Sequence, residues 1–157
     1  MKPISLIEPF HDLRNYETWQ SQWRNPELIS YSDYLSETLH PETLLISSKL
    51  FIPEFISVDN CILLFERYEE SNFKLWREKF GDENSLIEKM LNHIHIYDLF
   101  GSNADDVTDS IFEQICDVLK CSWGMTLKQL FPTKTFNLES SGSDVGYGPT
   151  LTFYQKN

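Results

Sequence analysis

An α+β fold is predicted by the order of periodic segments along the chain. A β-rich region comes first, helical patterns fill the middle, and β structure returns at the end. Regular alternation of strand and helix, which would build a parallel sheet, does not occur. The third observation is aromatic content: eleven Phe, seven Tyr and four Trp in 157 residues. Disordered chains are poor in such residues, so the sequence is expected to fold nearly throughout. The length fits one domain over residues 1–157, with 1–26 as a helical N-terminal segment packed on the core. The expected architecture is an antiparallel or mixed sheet of about four or five strands, with helices covering one face.

Each element has a local reason. Tyr16, Trp19 and Trp23 recur at helical spacing, and Pro26 marks the boundary after them. Ser32 is placed to cap a short helix through Tyr34, Leu35 and Leu39, ending at His40-Pro41. The apolar run from Thr43 to Ile52 reads as a strand before Pro53. Glu54–Val58 and Cys61–Glu66 flank Asp59-Asn60, which predicts a hairpin. Because Cys61–Phe65 is apolar on both faces, it reads as a covered strand.

The helical region follows. Ser71 is a candidate cap for a helix carrying Phe73, Trp76 and Phe80, stopped by Gly81. Asp82 is expected to cap the next, whose stripe is Ile87, Met90, Leu91 and Ile94. The clearest helix is read from Asp105, with Val107, Ile111, Ile115, Val118 and Leu119 on one face. Phe112 and Trp123 stand at the edges of that face, and an interruption is expected at Gly124. Thr135–Leu138 and Thr150–Tyr154 alternate in polarity, so they predict a closing hairpin with a Ser/Gly-rich tip from Ser140 to Gly148.

Charge narrows the function. Thirteen basic residues face twenty-four acidic ones, a net charge of −11. Phosphate contacts need Lys and Arg, so nucleic acid and anionic membrane surfaces are disfavoured as partners. A basic protein partner is favoured by long-range steering. The first residues lack the long apolar core of a signal peptide. With three cysteines in no regular pattern, a reducing cytoplasmic location is the expectation.

Chemical motifs are sparse. His93 and His95 would share one side of an extended segment, and with Asp98 they form a candidate metal site for a small metal-dependent enzyme. The plainer reading is two partly exposed histidines at a helix end. Cys116 lies between acidic neighbours, which opposes a reactive thiolate. The Ser140–Gly148 loop lacks the Lys-Ser/Thr pair of a phosphate-binding loop. No catalytic residue is assigned and no cofactor is expected.

Charge patterning carries the functional reading. No Lys or Arg occurs from Met90 to Leu119, nor from Pro26 to Ser48. In the first of these stretches Asp106, Asp109, Glu113 and Asp117 step by three and four along the long helix, after Asp105. Solubility alone is served by mixed signs, whereas a one-sign face favours a cationic partner. Tyr97 and Tyr147 are candidate anchors beside this stripe. This acidic, motif-free profile resembles the immunity proteins of bacterial toxin systems, of the contact-dependent inhibition and bacteriocin types. The resemblance implies a cognate toxin domain, often a basic nuclease, blocked at its active or substrate-binding face. No motif carries site residues over from that resemblance; the candidate contact residues, Asp105, Asp106, Asp109, Glu113 and Asp117 with Tyr97 and Tyr147 as anchors, come from the charge patterning. A non-enzymatic adaptor in a larger complex fits the same surface.

Overall fold

The computed structural model describes residues 4–104, 106–144 and 146–156. The chain is of mixed α and β type, as the segment order predicts. Three helices come first: α1 (Arg14–Gln20), α2 (Tyr31–Thr38) and α3 (Pro41–Phe51). Ser30, not Ser32, caps α2, through a reciprocal capping box with Asp33. The expected strand at Thr43–Ile52 is a helix. Pro41 occupies its first turn, the His40 imidazole accepts from the Glu42 amide, and Lys49 stands in the last turn. An apolar run of this length is compatible with either state, and the end signals decide it.

The predicted hairpin is present: β1 (Phe55–Val58) pairs antiparallel with β2 (Cys61–Leu64). Asp59 and Asn60 hold the turn at φ 45° and 66°, a left-handed pair that these side chains tolerate well. All four β2 residues are buried. Ile62 and Leu64 join the main core, while Cys61 and Leu63 join a second cluster with Phe73 and Ile87. The strand is apolar on both faces because it separates two cores.

Helix α4 (Glu70–Phe80) begins one residue before Ser71 and has no side-chain cap; Gly81, at φ 57°, ends it. Helix α5 (Asn84–Leu91) starts after Glu83 rather than from an Asp82 cap. Only part of its expected stripe is internal: Ile87 is buried, Met90 is 46% exposed, and Ile94 falls in strand β3 (Ile94–His95). Short 3-10 turns then lead to α6 (Asp109–Leu130), with Thr108 at its N-cap position. The expected start at Asp105 lies outside the described residues. The helix runs unbroken through Gly124, which lies 3.9 Å from the Leu138 methyls. Its buried face is Phe112, Cys116, Leu119, Trp123 and Leu127. Of the face expected from the sequence only Leu119 is fully internal; Ile111, Ile115 and Val118 sit half-buried on the next rows round the helix.

Strands β4 (Phe136–Ser141) and β5 (Thr150–Gln155) form the closing hairpin, in register from Phe136 opposite Gln155 to Ser141 opposite Thr150. Among the described residues the five strands make two antiparallel sheets, β1-β2 and β3-β5-β4, rather than one. The division falls where α5 and its C-cap residue insert two fully buried side chains between β2 and β5. Glu88 accepts from the Ile62 amide (2.7 Å) on one side and the Gln155 amide (2.6 Å) on the other. Asn92 accepts from the Leu64 amide (3.0 Å) and donates to the Ile62 carbonyl (2.9 Å) and the Phe153 carbonyl (3.1 Å). These groups satisfy backbone that strand pairing would otherwise satisfy. Burial holds the Glu88 carboxyl above its ordinary range, against the pull of the amides that bond it.

The N-terminal helices bury nothing completely. Tyr16 and Trp19 of α1 meet Tyr31 and Tyr34 of α2 at ring distances of 4.8 to 5.5 Å. The aromatic face of α1 therefore packs on its neighbour helix instead of the central core. Helix α3 is fastened more firmly, since Trp123 Nε1 donates to the Leu50 carbonyl at 2.7 Å. No helix among the described residues is long and apolar enough to cross a membrane.

Candidate partner-binding surface

The acidic stripe begins where α6 begins. Asp109 is in its first turn, where a carboxylate complements the helix dipole. Its carboxylate accepts from the Tyr97 hydroxyl at 2.6 Å. That bond, with burial second, pushes the Tyr97 hydroxyl up to about 12. One turn on, Glu113 accepts from the Ser143 amide (3.1 Å) and hydroxyl (2.8 Å), which hold its carboxyl below the ordinary range. Two of the four described stripe residues thus tie α6 to its neighbours: Asp109 to the turn after β3, Glu113 to the β4–β5 tip.

The two candidate tyrosines meet there. Their ring centres are 5.4 Å apart, and the Tyr97 ring also lies 4.6 Å from buried Phe112. The Tyr147 ring is 62% exposed, so one tyrosine is an internal support and the other faces out. Gly148 makes this approach possible. At φ 69° it adopts a left-handed conformation, and an added Cβ would fall 2.6 Å from the Tyr97 ring. His95 completes the group, with its Nδ1 3.1 Å from the Tyr147 carbonyl and its ring 5.6 Å from the Tyr147 ring.

Asp106 and Asp117 stand at the two ends of the stripe, both exposed. Asp106 is in the turn before α6 at φ 65°. Asp105 lies outside the described residues. The structure therefore gathers Tyr97, Asp109, Glu113 and Tyr147 around one hairpin tip, with Asp106 before the helix and Asp117 farther along it.

The histidine pair is close, with ring centres 5.0 Å apart. His93 is half-buried, and burial lowers its imidazole from the ordinary value, ahead of the charge of His95. Asp98 is exposed in the following turn, and no three His, Cys, Asp or Glu residues gather into a metal-sized group among the described residues. Burial raises the Cys61 and Cys116 thiols to about 11, so both are held as thiols at neutral pH.

A further feature of this face is not evident from single residues. A cleft of about 430 Å³ lies between α1, α2 and the start of α6, bounded by Tyr16, Tyr31, Tyr34, Leu35, Val107 and Ile111. Its signal in the sequence was the pair of segments without Lys or Arg, whose meeting in space depends on tertiary structure. Compared with protein-family models, with curated proteins and with solved structures, the chain matches none.

Proposed function

We propose that this chain is a non-catalytic binding protein that holds a cationic protein on the acidic flank of α6. It would act as an inhibitor of the immunity-protein type, covering the active or substrate-binding face of a basic toxin domain, most simply a nuclease. The observation that carries this reading is the exposure of Asp109, Glu113 and Asp117 along α6, with exposed Asp106 in the turn before it, in a stretch without Lys or Arg. Tyr147 supports it as an exposed aromatic ring next to the charge, the arrangement that anchors interfaces while charge steers approach. Tyr97, Asp109 and Glu113 serve the same surface by fixing its shape, which lowers the ordering cost of binding.

The test follows from which acids are free of internal duties. Asp109 and Glu113 hold Tyr97 and Ser143, so reversing their charge would also disturb the surface. Asp106→Asn with Asp117→Lys changes the charge while keeping at position 106 a residue that tolerates its φ of 65°. The tagged chain and this double variant are each used to capture partners from the native lysate, washed at low and at high salt. The expected result is one basic protein retained by the wild type at low salt, loosened by high salt, and associating with the variant at least several-fold more slowly. Equal capture by both chains would remove the acidic flank from the reading.

A further inference from the structure

The two segments that lack Lys and Arg lie far apart in sequence, yet both line the cleft between α2 and α6. Pro26–Ser48 contributes Tyr31, Tyr34 and Leu35; Met90–Leu119 contributes Asp106, Val107 and Ile111. The walls are apolar and aromatic, and the carboxylates of Asp106 and Asp12 stand among the lining residues. Arg14 is the one basic residue among the described residues there. The floor continues past Ile111 into a second trough of about 240 Å³ over Ile115 and Val118, edged by Phe51.

A strap of chain divides the two. The Gln114 side chain accepts from the His11 amide at 2.9 Å and donates to the His11 carbonyl at 3.0 Å. Ser110 donates to Asp12 at 2.8 Å, and Asp12 sits at φ 59°. The strap thus holds Phe10 and Leu13 against Ile111, and both residues border both depressions. The result is an apolar seat built by three separate parts of the chain, with Asp106 common to the seat and to the acidic stripe.

We infer that this cleft seats an apolar side chain of a cationic protein segment, an aromatic or long aliphatic residue with Lys or Arg beside it. The inference deepens the proposed function and rests on its cationic partner. Charge complementarity selects the occupant. Two walls without Lys or Arg, with carboxylates at the seat, favour an amphipathic basic segment. They disfavour a second copy of this chain, which carries −11 itself. A buried apolar anchor would supply the affinity that surface charge supplies poorly.

The experiment uses the full chain and two labelled probe peptides of equal positive charge, one of alternating Leu and Lys segments in amphipathic order, the other with Ser in place of Leu. Binding is read by fluorescence anisotropy and located by amide chemical shifts. The variants are Leu35→Ser and Val107→Ser, at positions 45% and 37% exposed, where loss of fold is not expected. The Leu/Lys peptide should bind the wild type at least about five-fold tighter than the Ser/Lys peptide and lose about that factor on either variant. The Ser/Lys peptide should be indifferent to both substitutions, and the Leu/Lys peptide should shift the amides of Tyr31, Leu35 and Ile111. If both peptides bind all chains alike, with shifts confined to Asp109–Asp117, the cleft is not the seat and the acidic flank stands. If neither binds, both the seat and the cationic partner are overturned.

Discussion

The first fifty residues and the rest of the chain obey different rules. From β1 onward, apolar side chains converge on two cores, and Phe153, Leu151, Leu119 and Ile96 are sealed from solvent. In α1, α2 and α3 no residue is fully buried, and Leu44, Leu45 and Ile46 are 56, 72 and 65% exposed. Monomeric proteins rarely leave contiguous apolar surface uncovered, and where they do it marks an interaction site. The contrast teaches that one region holds the molecule together while the other presents surface. The junction between them includes Trp123 to Leu50, Gln114 to His11, Ser110 to Asp12 and Lys49 to Glu54, with Leu50 packed on the edge of the main core.

The comparison can be broken most forcefully in the body. Phe153 is sealed between the core and Phe55, Trp123 and Phe136, so Phe153→Ala should cost about 4 kcal/mol in urea unfolding. A loss below about 1 kcal/mol would mean the core is not centred there. Next comes the seam between the sheets. Asn92→Ala leaves the Leu64 amide and two carbonyls without partners, an expected loss of about 3 kcal/mol by the same assay. Tightening the hairpin tip is milder: Gly148→Ala should cost about 2 kcal/mol and displace Tyr97, visible as a change in its near-UV dichroism.

Glu88 sharpens the picture through pH. Its raised folded value means that the native chain holds this proton more tightly than the unfolded chain does. The associated stability is present below the ordinary value of 4.5 and is lost as pH rises through the raised folded value. Other carboxylates, such as Glu113 and Glu139, are lowered and act in the opposite sense. The difference between wild type and Glu88→Gln isolates the one group: the wild type should gain stability relative to the variant on acidification through that window. A constant difference across it would show that burial does not govern Glu88. The smallest effect belongs to the N-terminal region. Leu45→Ser should change unfolding stability by no more than about 0.5 kcal/mol, because the side chain leaves solvent hardly at all.

Legibility follows the same boundary. The hairpin at Asp59-Asn60, the closing hairpin and the long helix were readable because turn residues and periodicity act locally. The helix at Pro41–Phe51 was not read from its apolar run, because exposed Leu44, Leu45 and Ile46 blur any one-sided pattern. The face of α6 was misassigned by one row for a related reason. Ile111, Ile115 and Val118 are apolar without being central, since they floor the cleft and trough, Ile115 also packing on the edge of the core. The single expected sheet became two because Glu88 on α5 and Asn92 at its C-cap, both polar, occupy positions that only tertiary packing reveals. In the candidate surface, charge spacing identified the stripe, while the tie of Tyr97 to Asp109 and of Ser143 to Glu113 depends on neighbours far along the chain.

Hydrogen exchange followed residue by residue on the free protein tests the division of labour most directly. Amides of α1, α2 and α3 are expected to exchange at least about a hundred-fold faster than those of α6 and β5, as a layer that opens without unfolding the body. Equal protection across both regions would contradict this division, because the N-terminal helices would then be part of the cooperative core and not a separate layer on it.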